Sequence, residues 1–195
     1  TALYGEVMES YGKPWIDDDR LDGVMNYVFL GTTGNFLRGD IDGDEYLHEL
    51  TKMFQEYPTE QLKCSWNIIS THDTNRMITE VDGDENRFKM AVTLQFTYPG
   101  IPMIYYGDEL GVVPGEKDVS NRRGMKWDRV DILHKKATDP RRPVQPMDWQ
   151  RVNEFGSFHF FYKHLIWLRK TQPVLTDGDF LPAFATKHAL GFFRP

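Results

Sequence analysis

The stretch Asn67-Ile68-Ile69-Ser70-Thr71-His72-Asp73-Thr74-Asn75-Arg76 constrains the fold more than any other part of the chain. A short apolar run stops abruptly in polar, titratable residues. The same pattern returns a helix later in Gly100-Ile101-Pro102-Met103-Ile104-Tyr105-Tyr106-Gly107-Asp108-Glu109. Apolar runs of that length read as buried strands of a parallel sheet. A carboxylate or histidine at the C-terminal end of such a strand stands where (β/α) barrels assemble their active sites. Two such endings separated by a helix predict an α/β enzyme built from successive strand–helix units.

Length sets a limit on that reading. The chain has 195 residues, short of the roughly 250 of a complete eight-stranded barrel. A hydrophobic content of 40% with 14% aromatic residues excludes a disordered chain. A net charge of −6 gives no electrostatic reason to expect nucleic acid, and Arg141-Arg142 is too short a basic cluster to change that. The single cysteine, Cys64, cannot form an internal disulfide and is expected to be a buried, inert thiol. No apolar stretch approaches a membrane span, and no signal-peptide pattern opens the chain. Thr1–Met8 begins inside an apparent core strand and Ala189–Pro195 stops in another apolar run, so the chain reads as a fragment.

Residues 3–8 predict a strand, followed by a polar loop through Gly12-Lys13-Pro14-Trp15, and Val24–Tyr27 a second strand. Tyr46, Leu47, Leu50, Met53, Phe54 and Tyr57 recur at helical spacing, giving a helix over 45–57 that Pro58 stops. Asn67–Ser70 is the next strand. Asp84 caps a largely buried helix over Glu85–Tyr98, and Ile101–Tyr106 is the following strand. A long polar loop spans 107–153. Phe158, Phe161, Tyr162, Leu165, Ile166 and Leu168 mark a final amphipathic helix closed near Gln172-Pro173, and residues 178–181 and 189–193 read as strands of a separate antiparallel unit.

The titratable residues at the strand ends are the candidates for chemistry. Glu6 could protonate a leaving oxygen if partial burial raised its pKa, or it could be a salt-bridged residue at a barrel mouth. His72 and Asp73 could orient a substrate hydroxyl and stabilise positive charge, or serve as a core histidine and a helix cap. Asp108 and Glu109 could face the same mouth or pair structurally with Arg122 or Arg123. Trp15, Tyr27 and Trp127 could stack on sugar rings or simply pack. The histidines lack a clustered ligand pattern, so no metal site is predicted.

Taken together, these residues resemble the α-amylase family of retaining glycoside hydrolases. Gly5-Glu6-Val7 resembles the fifth-strand motif, whose Glu is the general acid/base. Asp22-Gly23-Val24-Met25-Asn26-Tyr27 resembles the sixth strand, and Ser70-Thr71-His72-Asp73 the seventh. That motif implies a transition-state-stabilising role for Asp73 and sugar-hydroxyl binding for His72. The run from Gly100 to Glu109 resembles the eighth strand and its loop, and Asn121-Arg122-Arg123 with Met125-Lys126-Trp127-Asp128 the segment after it. Gly124 and Lys126 flank Met125 where the family usually has a proline. The group most similar is that of neopullulanases, cyclomaltodextrinases and maltogenic amylases.

The resemblance implies the C-terminal half of a (β/α)8 TIM barrel over residues 1–173, strands five to eight with their helices. Residues 174–195 would start a C-terminal antiparallel β-sandwich. It implies Glu6 and Asp73 as catalytic residues, and His72, Asp108, Trp15 and Arg123 as substrate-binding ones. The nucleophile, an Asp on the fourth strand, is absent from this chain, so the fragment alone should be inactive. An α-glucan oligosaccharide is the implied substrate and the N-terminal half of the barrel the implied partner, with homo-oligomerisation open and neither nucleic acid nor membrane involved. No cofactor is implied in this segment, with calcium left open for the missing part of the parent, and the location implied is cytoplasmic. Transglycosylation, sugar isomerisation and a non-catalytic, transporter-associated role are alternatives within the same family.

Overall fold

The computed structural model describes residues 1–8, 13–16, 20–112 and 157–195. Four short strands, β1 (Tyr4–Gly5), β2 (Gly23–Asn26), β3 (Trp66–Asn67) and β4 (Ile101–Pro102), pair in chain order, all parallel. Gly23 and Val24 of β2 pair with β1, whereas Met25 and Asn26 pair with β3, so the pairing steps along β2. Because every strand runs the same way, the segments leaving them all emerge at one edge of the sheet.

Parallel neighbours need crossover connections, and helices supply them. A single helical turn, α1 (Lys13–Ile16), lies between β1 and β2, in place of the expected loop. Three helices separate β2 from β3: α2 (Tyr27–Arg38), α3 (Gly43–Glu56) and α4 (Thr59–Cys64). The short α5 (Met77–Glu80) and the long α6 (Glu85–Thr97) separate β3 from β4. A 3-10 turn, Asp108–Leu110, follows β4, and α7 (Phe158–Thr171) packs back on α6.

Local chemistry accounts for the long helices. The Asp42 side chain accepts from the Glu45 amide at the start of α3, and Asp84 accepts from both Asn86 and Arg87 at the start of α6. Tyr46, Leu50 and Met53 of α3 and Phe88, Ala91 and Val92 of α6 are fully buried in the hydrophobic core. Burying each of the larger of these apolar side chains stabilises the fold by about 1.5–3 kcal/mol.

Four expectations are corrected. Helix α2 lies where no helix was expected, because Gly31-Thr32-Thr33-Gly34 lowers its intrinsic propensity; it forms because Phe29, Phe36 and Leu37 are buried and Asn26 Oδ1 caps the Phe29 amide at 3.0 Å. Helix α4 begins immediately after Pro58, which ends α3 but leaves the residues beyond it free to start again. Cys64, expected to be buried, is exposed at the end of α4. The strands are also shorter than the apolar runs: Ile68 and Ile69 are buried but lie beyond the ladder of β3. Most of the predicted 107–153 loop falls outside the described residues.

The antiparallel unit is a hairpin of β5 (Leu181–Thr186) and β6 (Ala189–Phe193), preceded by the one-turn α8 (Val174–Asp177). Gly43, the first residue of α3, lies directly against the Thr186 carbonyl, leaving no room there for a side chain. Phe180 is buried between the rings of Tyr98, at 5.2 Å, and Phe192, at 5.0 Å. Among the described residues no helix is long and apolar enough to cross a membrane.

Candidate active site

The segment after β3 folds into a turn held by its own hydroxyls. The Thr71 amide donates to Thr74 Oγ1 at 3.0 Å, the Asp73 amide to Thr71 Oγ1 at 3.1 Å, and the Met77 amide to Ser70 Oγ at 3.0 Å. Ser70 and Thr71 are buried, while His72 and Asp73 project from the tip with side chains 43% and 38% exposed. Their side chains meet, His72 Nε2 to Asp73 Oδ2, at 3.1 Å.

Glu6 leaves the end of β1 at the same edge of the sheet. A carboxylate oxygen of Glu6, a ring nitrogen of His72 and a carboxylate oxygen of Asp73 all lie within 4.8 Å of one another. Residues far apart in sequence thus converge at the C-terminal edge, where the strand directions require them to meet. Glu6 is exposed.

Tyr27 completes this group. It begins α2 at the end of β2, is 9% exposed, and its hydroxyl donates to Glu6 Oε1 at 3.1 Å. Burial raises the Tyr27 pKa above its usual value; the Thr71 hydroxyl opposes this, and the nearby Glu6 and Asp73 carboxylates add to it. The phenol therefore stays protonated and remains a donor. It touches both Glu6 and the Thr71 turn that carries Asp73.

Asp108 is placed differently from the expectation of a substrate contact. It is 1% exposed, and its Oδ1 accepts from Arg76 Nη1 at 2.7 Å, with Arg76 also 1% exposed. Burial pushes the Asp108 carboxyl up from 3.8 to about 6, against the opposing pull of Arg76 and Ser70. The guanidinium lies 4.6 Å from the Tyr105 ring centre and 5.3 Å from that of Tyr106, so the pair is roofed by aromatic rings. Among the described residues its partner is Arg76; Arg122 and Arg123 lie outside them. Glu109 Oε2 accepts from the Gly107 amide at 2.9 Å.

Trp15 is 52% exposed on α1. Arg123 and Trp127 lie outside the described residues. By spacing alone the Glu6–His72–Asp73 group could also hold a metal ion, although exposed acidic groups are commonly so placed without one.

Sequence reasoning missed Arg76 and left the role of Tyr27 open. Tyr27 had a usable signal: it directly follows a strand end, as Glu6 does. Arg76 had none, because only tertiary contact shows that its charge is buried.

The model of the alpha-amylase catalytic domain matches residues 1–172, and the chain belongs to that family. It is 35% identical over 190 residues to neopullulanase 2 of Thermoactinomyces vulgaris, a match covering 96% of this chain and 28% of that protein. It is 33% identical over 188 residues to a cyclomaltodextrinase of a Bacillus species, covering 96% and 29%. Among solved structures it is similar to a cyclomaltodextrinase with a TM-score of 0.71 at 29% identity, covering 96% of this chain and 28% of that one. It is also similar to the acarbose-soaked debranching enzyme of Nostoc punctiforme, with a TM-score of 0.74 at 28% identity, covering 97% and 38%. The chain therefore spans under a third of the length of these two curated relatives.

Proposed function

We propose that this chain carries the general acid/base and the transition-state-stabilising carboxylate of a retaining glycoside hydrolase acting on α-glucans, linear or cyclic. The observation that carries the reading is the convergence of Glu6, His72 and Asp73 within 4.8 Å at one edge of a parallel sheet. In the first step Glu6 protonates the glycosidic oxygen as a carboxylate nucleophile attacks the anomeric carbon, giving a glycosyl-enzyme. Glu6 then takes a proton from water, which attacks the same carbon and releases the sugar with its configuration retained. Tyr27 holds Oε1 of Glu6, leaving the other oxygen for proton transfer. His72 holds Asp73 against the developing positive charge of the sugar ring.

The nucleophile is proposed to lie on a segment outside these 195 residues. The sheet supports a half barrel, since β1 and β4 are its edge strands and Leu3 and Ile101 beside those edges are 57% and 41% exposed. The hairpin, with Phe184 56% and Phe193 62% exposed, supports residues 174–195 as the start of a further antiparallel unit. Spacing alone would also suit Asp73 as nucleophile, because a retaining pair stands about 5–5.5 Å apart.

The test is reducing-sugar release from maltooligosaccharides and cyclodextrins. The 195-residue chain is assayed alone and together with its nucleophile-bearing segment, with Glu6→Gln as control. Activity only in the combined protein, abolished by Glu6→Gln, is the expected result. Activity of the chain alone would make Asp73 the nucleophile. A folded combined protein that cleaves none of these sugars would overturn the proposal.

A further inference from the structure

We propose that the buried Arg76–Asp108 pair is a positioning device for the reaction, setting the place of His72 and Asp73 without touching substrate. The inference rests on the function proposed above. Three observations point to it. The pair joins the turn after β3, which bears His72 and Asp73, to the turn after β4, so it fixes two separate active-edge segments against each other. The Ser70 hydroxyl lies near enough to Asp108 to hold its pKa down, as Arg76 does. Ser70 Oγ in turn accepts from the Met77 amide at 3.0 Å. Both stems of the turn, at Ser70 and at Arg76, therefore lie beside one carboxylate, with Arg76 bonded to it directly.

The third observation is energetic. Both side chains are 1% exposed, and a buried ion pair is often no more stable than apolar residues of the same volume. This one is not optimised for stability: Arg76 Nη2 and Asp108 Oδ2 are buried with no hydrogen-bond partner among the described residues. What such a pair supplies in place of stability is a defined geometry. Misplacing a catalytic group by about 1 Å costs on the order of 100-fold in rate.

The experiment uses the combined protein and three variants: Arg76→Met with Asp108→Leu, Arg76→Lys, and Ser70→Ala. Each is measured for unfolding midpoint, kcat and KM on maltooligosaccharides, and the NMR signals of the His72 ring. The double variant is expected to keep its unfolding midpoint while kcat falls about 10- to 100-fold, KM changes less than about threefold, and the His72 signals shift. Arg76→Lys should recover part of kcat, because it restores the charge but not the geometry. A folded double variant with kcat within about twofold of wild type and unmoved His72 signals would overturn the proposal. If the double variant does not fold, Ser70→Ala decides: an unchanged kcat and unmoved His72 signals overturn it, and a selective loss of kcat supports it. A wild-type protein inactive on these sugars would refute the glycosidase reading, and the His72 signals would then decide the positioning role alone.

Discussion

Arg194 ties the hairpin to the parallel-sheet unit, and replacing it should release the hairpin selectively. Its guanidinium donates to the carbonyls of Thr97 at 2.5 Å, Gly178 at 2.6 Å and Asp179 at 2.8 Å. Thr97 is the last residue of α6, where unpaired carbonyls and the helix dipole favour a cation. Burial lowers the Arg194 pKa, yet an arginine so placed still carries its charge at neutral pH. A hydrogen bond from a charged donor contributes about 1.5–3 kcal/mol when desolvated. Arg194 is partly exposed, so about 1 kcal/mol for each of its three bonds is the appropriate scale, about 3 kcal/mol in all. Arg194→Met keeps most of the apolar stem and removes those bonds. Amide hydrogen exchange across β5 and β6 should then accelerate by roughly 100-fold, while the core of α6 is unaffected. Acceleration below about fivefold would show that Phe180 and Phe192 hold the hairpin without Arg194. Equal acceleration in α3 and α6 would show that the hairpin is not a separate cooperative unit.

Tyr27→Phe removes the donor to Glu6 and should lower kcat/KM about 10-fold with little change in melting temperature; a change under twofold in steady-state kinetics would remove Tyr27 from the site. Asp108 titrates near 6 in the folded state and 3.8 when free, so the folded protein binds the extra proton between those values. Its contribution is therefore fully present below about pH 4 and falls as pH rises through about 6, by on the order of 3 kcal/mol. Urea unfolding of wild type and Asp108→Asn across pH 4–7 should show the wild-type advantage shrinking as pH rises; an advantage that grows would mean that attraction to Arg76 outweighs burial. Asp84→Ala loses the cap of α6 and should cost about 1 kcal/mol, a fall in melting temperature of about 2–4 °C by differential scanning calorimetry.

Long helices were legible because their signals are local. The spacing of Tyr46, Leu50 and Met53, and the position of Asp84 before Glu85, define α3 and α6 without reference to the rest of the chain. Helix α2 was not legible, since its two glycines and two threonines argue against a helix that burial of Phe29 and Phe36 then enforces. Strand lengths were overstated because hydrophobicity reports burial and not pairing, as Ile68 and Ile69 show. Glu6, His72 and Asp73 could be named because each follows a strand end, and a parallel sheet brings such ends together. The burial of Asp108 was hidden, because a charged residue after a strand looks the same whether it faces solvent or a buried arginine.

The central claim is that Glu6 is the acid/base of a retaining site, and azide rescue tests it most directly. Glu6→Ala in the combined protein, given an α-glucosyl substrate with a good leaving group, should form the glycosyl-enzyme without acid assistance and then stall. Added azide, needing no base, should restore turnover and yield the α-glycosyl azide by NMR. Absence of rescue, or a β-glycosyl azide, would contradict the assignment of Glu6.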